Sequence, residues 1–181
     1  PLHLLADEAG VLDRVVRGDR AQWSVERGID GASAHVVGTG DYGNGTIAPE
    51  TDRFTWTGRG DVAADVRVAE MYNMNAEVRF GDLTTDDHWR VKVAFAGETL
   101  RITPPDDGPQ REIGVTPTPG EGHRLSVAVG DDAVAVGLDG SQLLSYPDPP
   151  TLPAGSVGFG LRSNESKAGA TWFDDVAFRS A

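Results

Sequence analysis

Apolar and polar residues alternate with a period of two along most of this chain. Val62, Ala64, Val66 and Val68 are interleaved with Ala63, Asp65 and Arg67, and Ala76, Val78 and Phe80 with Glu77 and Arg79. Trp89, Val91, Val93 and Phe95 alternate with Arg90, Lys92 and Ala94. The same holds for Leu125, Val127 and Val129, for Val134, Val136 and Leu138, and for Val157, Phe159 and Leu161, which Gly158 and Gly160 separate. Successive side chains of an extended strand point to opposite faces, so each segment predicts a strand with one face in a core. Gly81-Asp82, Gly130-Asp131-Asp132 and Asp139-Gly140 supply turns between them, and Pro104-Pro105 and the 147–153 stretch mark loops. Strand centres about 10–15 residues apart suit two packed antiparallel sheets. The pattern predicts an all-β sandwich forming a single domain over residues 1–181, with a lead-in segment at 1–20 and the sandwich core at 21–181. Leu4–Arg17 is the one stretch of different character, and predicts either a strand with irregular structure or one short helix.

Composition narrows the function classes. The chain has 181 residues, 39% of them hydrophobic, which suits one core, and no apolar run reaches the length of a membrane-spanning helix. A net charge of −12 repels phosphate backbones and anionic lipid, so nucleic acid and membrane insertion are not expected, whereas neutral glycans, cations and basic partners are compatible. Oligomeric state is left open. The absence of cysteine rules out disulfides, thiolate zinc sites and cysteine nucleophiles. Pro1–Gly10 has no basic start and includes Asp7 and Glu8, so it is not a signal peptide; the expectation is a secreted bacterial protein in its mature form. His3, His35, His88 and His123 show no metal-ligand spacing, and there is no serine-centred nucleophile elbow.

The last third has a distinctive cadence. It runs Gly122-His-Arg-Leu-Ser-Val-Ala-Val, then Ala133-Val-Ala-Val-Gly-Leu-Asp-Gly, then Gly155-Ser-Val-Gly-Phe-Gly-Leu-Arg, and closes with Thr171-Trp-Phe-Asp-Asp-Val-Ala-Phe. With the earlier Gln22-Trp23-Ser-Val-Glu-Arg-Gly28, this resembles the concanavalin A-like lectin/glucanase superfamily over residues 20–180, including laminin-G-like domains, levan-binding-type modules and the 3-keto-disaccharide hydrolase-like family. The resemblance implies a jelly-roll-like sandwich and is poorly specific for function. The hydrolase-like family carries an N-S-G-x-x-x-R strand. Here Asn73-Met-Asn-Ala-Glu-Val-Arg79 keeps the Asn and Arg but puts Met74 and Asn75 in place of Ser and Gly, which argues against that activity. The glucanase-type E-x-D-x-x-E cluster and the alginate-lyase-type Y-x-K-x-G-x-Y strand are absent.

In this superfamily the concave sheet often receives glycans. If Val66, Ala76, Val78, Val91 and Val93 face the core, then Asp65, Arg67, Glu77, Arg79, Arg90 and Lys92 share the opposite face. Such side chains hydrogen-bond sugar hydroxyls, or simply pair across a solvated sheet. The candidate ligand-binding residues are Arg79, Glu77, Arg90, Lys92 and Asn73, with Tyr42 and Trp56 to stack on sugar rings; Trp89 shares parity with Val91 and belongs to the core. Were the protein an enzyme, Glu77 and Asp65 would be the paired acids and His88 the general base. The resemblance also suggests a structural calcium on Asp174 and Asp175 with Asp7 or Glu8. The leading expectation is a carbohydrate-binding, lectin-like module binding an oligo- or polysaccharide, alone or within a polysaccharide-processing system. A glycoside hydrolase or lyase on the concave face and a structural or protein-interaction sandwich are the alternatives.

Overall fold

The computed structural model describes residues 2–4, 14–17, 21–27, 32–38, 44–48, 56–69, 74–83, 85, 88–105, 108–149, 155–163 and 170–181. The strands are β1 (Leu2–Leu4), β2 (Arg14–Arg17), β3 (Ala21–Arg27), β4 (Ala32–Gly38), β5 (Asn44–Ala48), β6 (Gly60–Val68), β7 (Met74–Gly81) and β8 (His88–Ala94). They continue with β9 (Thr99–Thr103), β10 (Arg111–Gly114), β11 (His123–Val129), β12 (Ala133–Leu138), β13 (Ser141–Pro147), β14 (Ser156–Ser163) and β15 (Ala170–Ser180). Among the described residues there is no helix, and so none long and apolar enough to cross a membrane.

Two antiparallel sheets form. The first runs β13-β12-β11-β6-β15-β4-β3, with β1 also paired to β15; the second runs β10-β9-β8-β7-β14-β5-β2. The lead-in segment thus contributes a strand to each sheet, β1 to the first and β2 to the second. The alternation read from the sequence sets the core. Val62, Ala64, Val66 and Val68 of β6 are buried, as are Ala76, Val78 and Phe80 of β7 and Trp89, Val91 and Val93 of β8. Each buried Val or Phe among them contributes roughly 1.5–3 kcal/mol of burial. One end is filled by aromatics in series: Trp56 lies against Phe80, Phe80 stacks on Trp89, and Trp89 meets Tyr146 edge-on at 5.2 Å between centroids.

Two local devices shape the first sheet. The β12–β13 hairpin turns through Asp139 (φ 52°) and Gly140 (φ 80°), both in the left-handed region that a two-residue turn requires. The Asp139 carboxylate then accepts from the Arg124 backbone N–H at 2.8 Å and meets His123 Nδ1 at 2.9 Å, which ties the hairpin to β11. In β15 the register shifts between Asp174 and Ala177, with Asp175 at φ 41°. This bulge splits one long strand into a half that pairs with β4 and a half that pairs with β1.

Candidate functional site

The face of the second sheet turned away from the core is polar and largely built from charged rows. One cross-strand row runs Thr46, Gly160, Glu77, Lys92, Arg101 and Glu112 across β5, β14, β7, β8, β9 and β10. The next runs Gly158, Arg79, Arg90 and Thr103. Glycine at both β14 positions leaves the sheet bare beside Glu77 and Arg79. Arg79 uses that space. Its Nη1 donates to Thr46 Oγ1, two strands away across β14, while Nε and Nη2 meet Glu77 Oε2 at 2.8 and 2.6 Å. Two strand spacings are about 9.6 Å, a span an extended arginine can bridge only where no side chain stands between.

The Glu77 and Arg79 side chains are 3% or less exposed, so this is a buried ion pair. Burial opposes ionisation of Glu77, but the Arg79 charge and hydrogen bond, with Lys92 and Arg90 behind them, win and hold its carboxyl below the usual value. His88 shares the face, is buried, and sits opposite Gly81. Its Nδ1 lies 3.0 Å from the Thr85 carbonyl, which can only accept, so Nδ1 carries the proton and Nε2 is a bare acceptor. That Nε2 is buried and has no hydrogen-bond partner among the described residues. Burial and the nearby Arg79 charge lower the His88 pKa, so the ring stays neutral. Arg90 and Lys92 are half-buried on this face, with Lys92 directly opposite Glu77.

The structure separates residues that the sequence grouped. Asp65 and Arg67 belong to β6 in the first sheet and do not share a face with Glu77. Asp65 instead receives a hydrogen bond from Arg124 Nη1 at 3.1 Å, and that nitrogen also donates to Asp175 Oδ2 at 2.9 Å. Arg67 stacks over Trp172 at 4.2 Å. Period-two alternation fixes which side of its own strand a residue takes, but not which sheet receives the strand. Trp56 is fully buried against Phe80 and pairs with Gly155 through the backbone, so it fills the core and offers no stacking surface. Trp89 is buried too, as its parity required. Tyr42, Asn73, Asp7 and Glu8 lie outside the described residues.

Asp174 and Asp175 are engaged in holding the β15 bulge. Asp174 Oδ1 accepts from the Asp175 N–H at 2.8 Å, and Asp175 is committed to the Arg124 cation. Among the described residues no three His, Asp or Glu gather to hold a metal, and Asp7 and Glu8, which the calcium expectation includes, lie outside them. Thr46, Arg101 and Glu112 were missed in the sequence reading: β5 and β10 are short, and every residue of β10 is exposed, so no alternation marks it.

No protein-family model and no curated protein matches this chain. Solved structures do. The carbohydrate binding module CBM66 from Bacillus subtilis superposes with a TM-score of 0.71 at 14% identity, covering 92% of this chain and 94% of that one. A glycoside hydrolase family 16 protein from the Bacteroides ovatus mixed-linkage glucan locus, in complex with its product, gives 0.61 at 10% identity over 87% and 85%. An endo-β-1,4-glucuronan lyase from Trichoderma reesei gives 0.61 at 12% identity over 94% and 91%. The fold is the concanavalin A-like jelly-roll sandwich. At such identities the likeness shows the shared architecture alone.

Proposed function

We propose that this chain is a carbohydrate-binding sandwich module and that the polar face of its second sheet receives the sugar. The observation that carries this reading is the pair of cross-strand rows, in which Arg90 and Lys92 offer charged donors above a prebuilt Arg79–Glu77–Thr46 network. Such donors suit the hydroxyls of a sugar, and a network fixed before binding loses little entropy on binding. Neighbours of the same fold include a carbohydrate binding module, a glycoside hydrolase and a polysaccharide lyase, which agrees with a glycan ligand.

Binding is favoured over hydrolysis by the carboxylates. Glu77 is held ionised by Arg79 and is poorly placed to act as a general acid. The other described carboxylate on its row, Glu112, is three strands away. Three strand spacings are about 14 Å, beyond the roughly 5–9.5 Å that separates the paired acids of most glycosidases.

The test is a thermal-shift screen against oligosaccharides, with and without calcium, followed by product analysis on each hit. A sugar at 100 times its Kd stabilises a fold by about 2.7 kcal/mol, a shift of several degrees. A sugar-dependent rise without products supports the module. Released products would move the enzyme reading to first place, and no response to any sugar would leave a structural or interaction domain. A calcium-dependent shift would support the calcium expectation independently.

A further inference from the structure

In the connection from β10 to β11, the run Pro117-Thr118-Pro119 carries a single backbone N–H, because proline has none. Thr116 and Thr118 each precede a proline, which disfavours helix at both positions. The segment is therefore fastened from outside. On one side the Val115 N–H donates to the Glu98 carbonyl at 2.8 Å, and on the other the Gly120 N–H donates to the Val68 carbonyl at 2.8 Å. Between these anchors the Thr118 N–H donates to a side chain, Nε2 of His123, at 2.9 Å.

His123 opens β11 and shares the inward parity of Leu125 and Val127. At this end of the sandwich its ring meets Phe95 at 5.9 Å between centroids. Its Nδ1 lies 2.9 Å from Asp139 Oδ2. A carboxylate can only accept, so Nδ1 carries the proton and Nε2 is left as the acceptor that Thr118 uses. The same Nε2 lies 3.3 Å from the Thr118 carbonyl oxygen. That contact is idle while the ring is neutral, since neither atom has a proton to give. One ring nitrogen thus faces both the donor and the acceptor of one residue, and its own proton decides which of them it can serve.

Asp139, in the β12–β13 turn, is the charged group in contact with the ring. Arg124, next on β11, takes the opposite side of the strand and is committed to Asp65 of β6 and Asp175 of β15. β6 sets Val66 opposite His123, while its Asp65 and Arg67 project to the outer face of the first sheet. On β8, Arg90 and Lys92 project to the outer face of the second. Glu121 in the connection and Glu98 after β8 are the other described titratable groups on the elements packed around the ring.

We propose that His123 is a proton-operated latch on residues 116–119. The neutral ring holds the segment through the Thr118 N–H. Imidazole is the side chain whose charge ordinarily changes between about pH 5 and 8. A protonated Nε2 is a donor and cannot accept, so the bond to the Thr118 N–H breaks and the new proton points at the Thr118 carbonyl instead. The Thr118 peptide then turns, and the segment swings out between its anchors at Val115 and Gly120, uncovering Pro117, which is buried in the closed form. At the same time the Nδ1–H bond to Asp139 becomes charge-assisted and tightens the hairpin onto β11. Gain at one ring nitrogen offsets loss at the other, so the device moves one segment without unfolding the sandwich. The latch is independent of what the polar face of the second sheet binds.

The experiment is NMR of the whole isotope-labelled chain between pH 8 and pH 5, a range above that in which carboxylates ordinarily titrate. At pH 8 the His123 ring should be protonated at Nδ1 alone, with scalar coupling from the Thr118 nitrogen to Nε2 across the hydrogen bond. Toward pH 5 the ring should take its second proton, the coupling should vanish, and the Thr118 amide should lose roughly tenfold in exchange protection, corrected for the intrinsic rate at each pH. The Val115 and Gly120 amides should keep theirs. His123→Gln supplies an acceptor without a titrating ring, so Thr118 protection should become independent of pH. Protection of Thr118 that persists while the His123 ring charges would overturn the latch. So would a loss shared by all of β11, which is global opening, or a loss that survives His123→Gln, which puts its origin in another group. Should His123→Gln fail to fold, the parent decides alone: the midpoints of ring protonation and of Thr118 release must coincide, and separate midpoints count against the proposal.

Discussion

Arg79 and Glu77 lie two residues apart on the same face of β7, and the arginine brings Nε and Nη2 to one oxygen, Oε2, of its partner at 2.8 and 2.6 Å. Both are buried on the side of the sheet that faces away from the hydrophobic core. A buried pair of this kind is weak evidence for net stability, because removing both charges from water offsets much of their attraction. Breaking it is a different matter. Glu77→Gln leaves the buried guanidinium without its carboxylate and should cost about 3–5 kcal/mol. Urea denaturation of Glu77→Gln beside the double variant Glu77→Gln/Arg79→Met measures this: the double variant should recover most of the loss, and a single variant as stable as the parent would show that the pair is not desolvated as the structure indicates.

The path of Arg79 across β14 makes Gly160 a specific requirement. A branched side chain there stands between Arg79 and Thr46, so Gly160→Val should destabilise by roughly 1–3 kcal/mol through overpacking. Thr46→Val, which removes only the acceptor for Arg79 Nη1, should cost about 1–3 kcal/mol as well. If the two effects share the Arg79 contact, the double variant will cost less than their sum, which thermal melts of the four proteins decide.

Acid stability should fall in two steps. His88 has a folded pKa below its ordinary 6.5, so between these values the unfolded chain takes up a proton that the folded chain refuses. Stability therefore declines as the pH drops below about 6.5 and reaches its full loss at the folded value. Glu77 is lowered from its ordinary 4.5, so its contribution is present above 4.5 and is lost as the pH falls through the folded value. Denaturation midpoints measured from pH 8 to pH 3 should show both steps, and His88→Gln should lack the first. The groups that bear on His88 are Arg79, Arg90 and Glu77, so a first step that survives His88→Gln would place its origin elsewhere.

Gly60 begins β6 at φ 136°, a conformation that side chains rarely adopt. A Cβ there would lie 1.8 Å from the carbonyl oxygen of Arg179 in the neighbouring strand β15. Gly60→Ala should therefore cost more than about 3 kcal/mol or shift the β6–β15 register. Gly120→Ala is the control, because its φ of 83° is also positive but no atom lies within 4 Å of the added carbon. Comparable losses in the two variants would mean that backbone strain, rather than the close approach to β15, sets the cost at Gly60.

The sequence by itself determined β6, β7, β8, β11, β12 and β14 and their inward faces. The period-two alternation of Val62–Val68, Ala76–Phe80 and Trp89–Phe95 returns as buried core positions, because burial of one strand face is a local property written every second residue. It also determined the Asp139-Gly140 hairpin, since only a few residue types tolerate the left-handed conformation of that turn. The placement of Glu77, Arg79, Arg90 and Lys92 on one face was legible too, since β7 and β8 are neighbours in chain and sheet. Only the tertiary structure decided that Asp65 and Arg67 lie in the other sheet, that Trp56 is core, and that Thr46 completes the Arg79 network from a strand more than thirty residues away. Those outcomes depend on which strands pair and on which face each sheet turns inward, and pairing between distant strands leaves no periodic mark in either one.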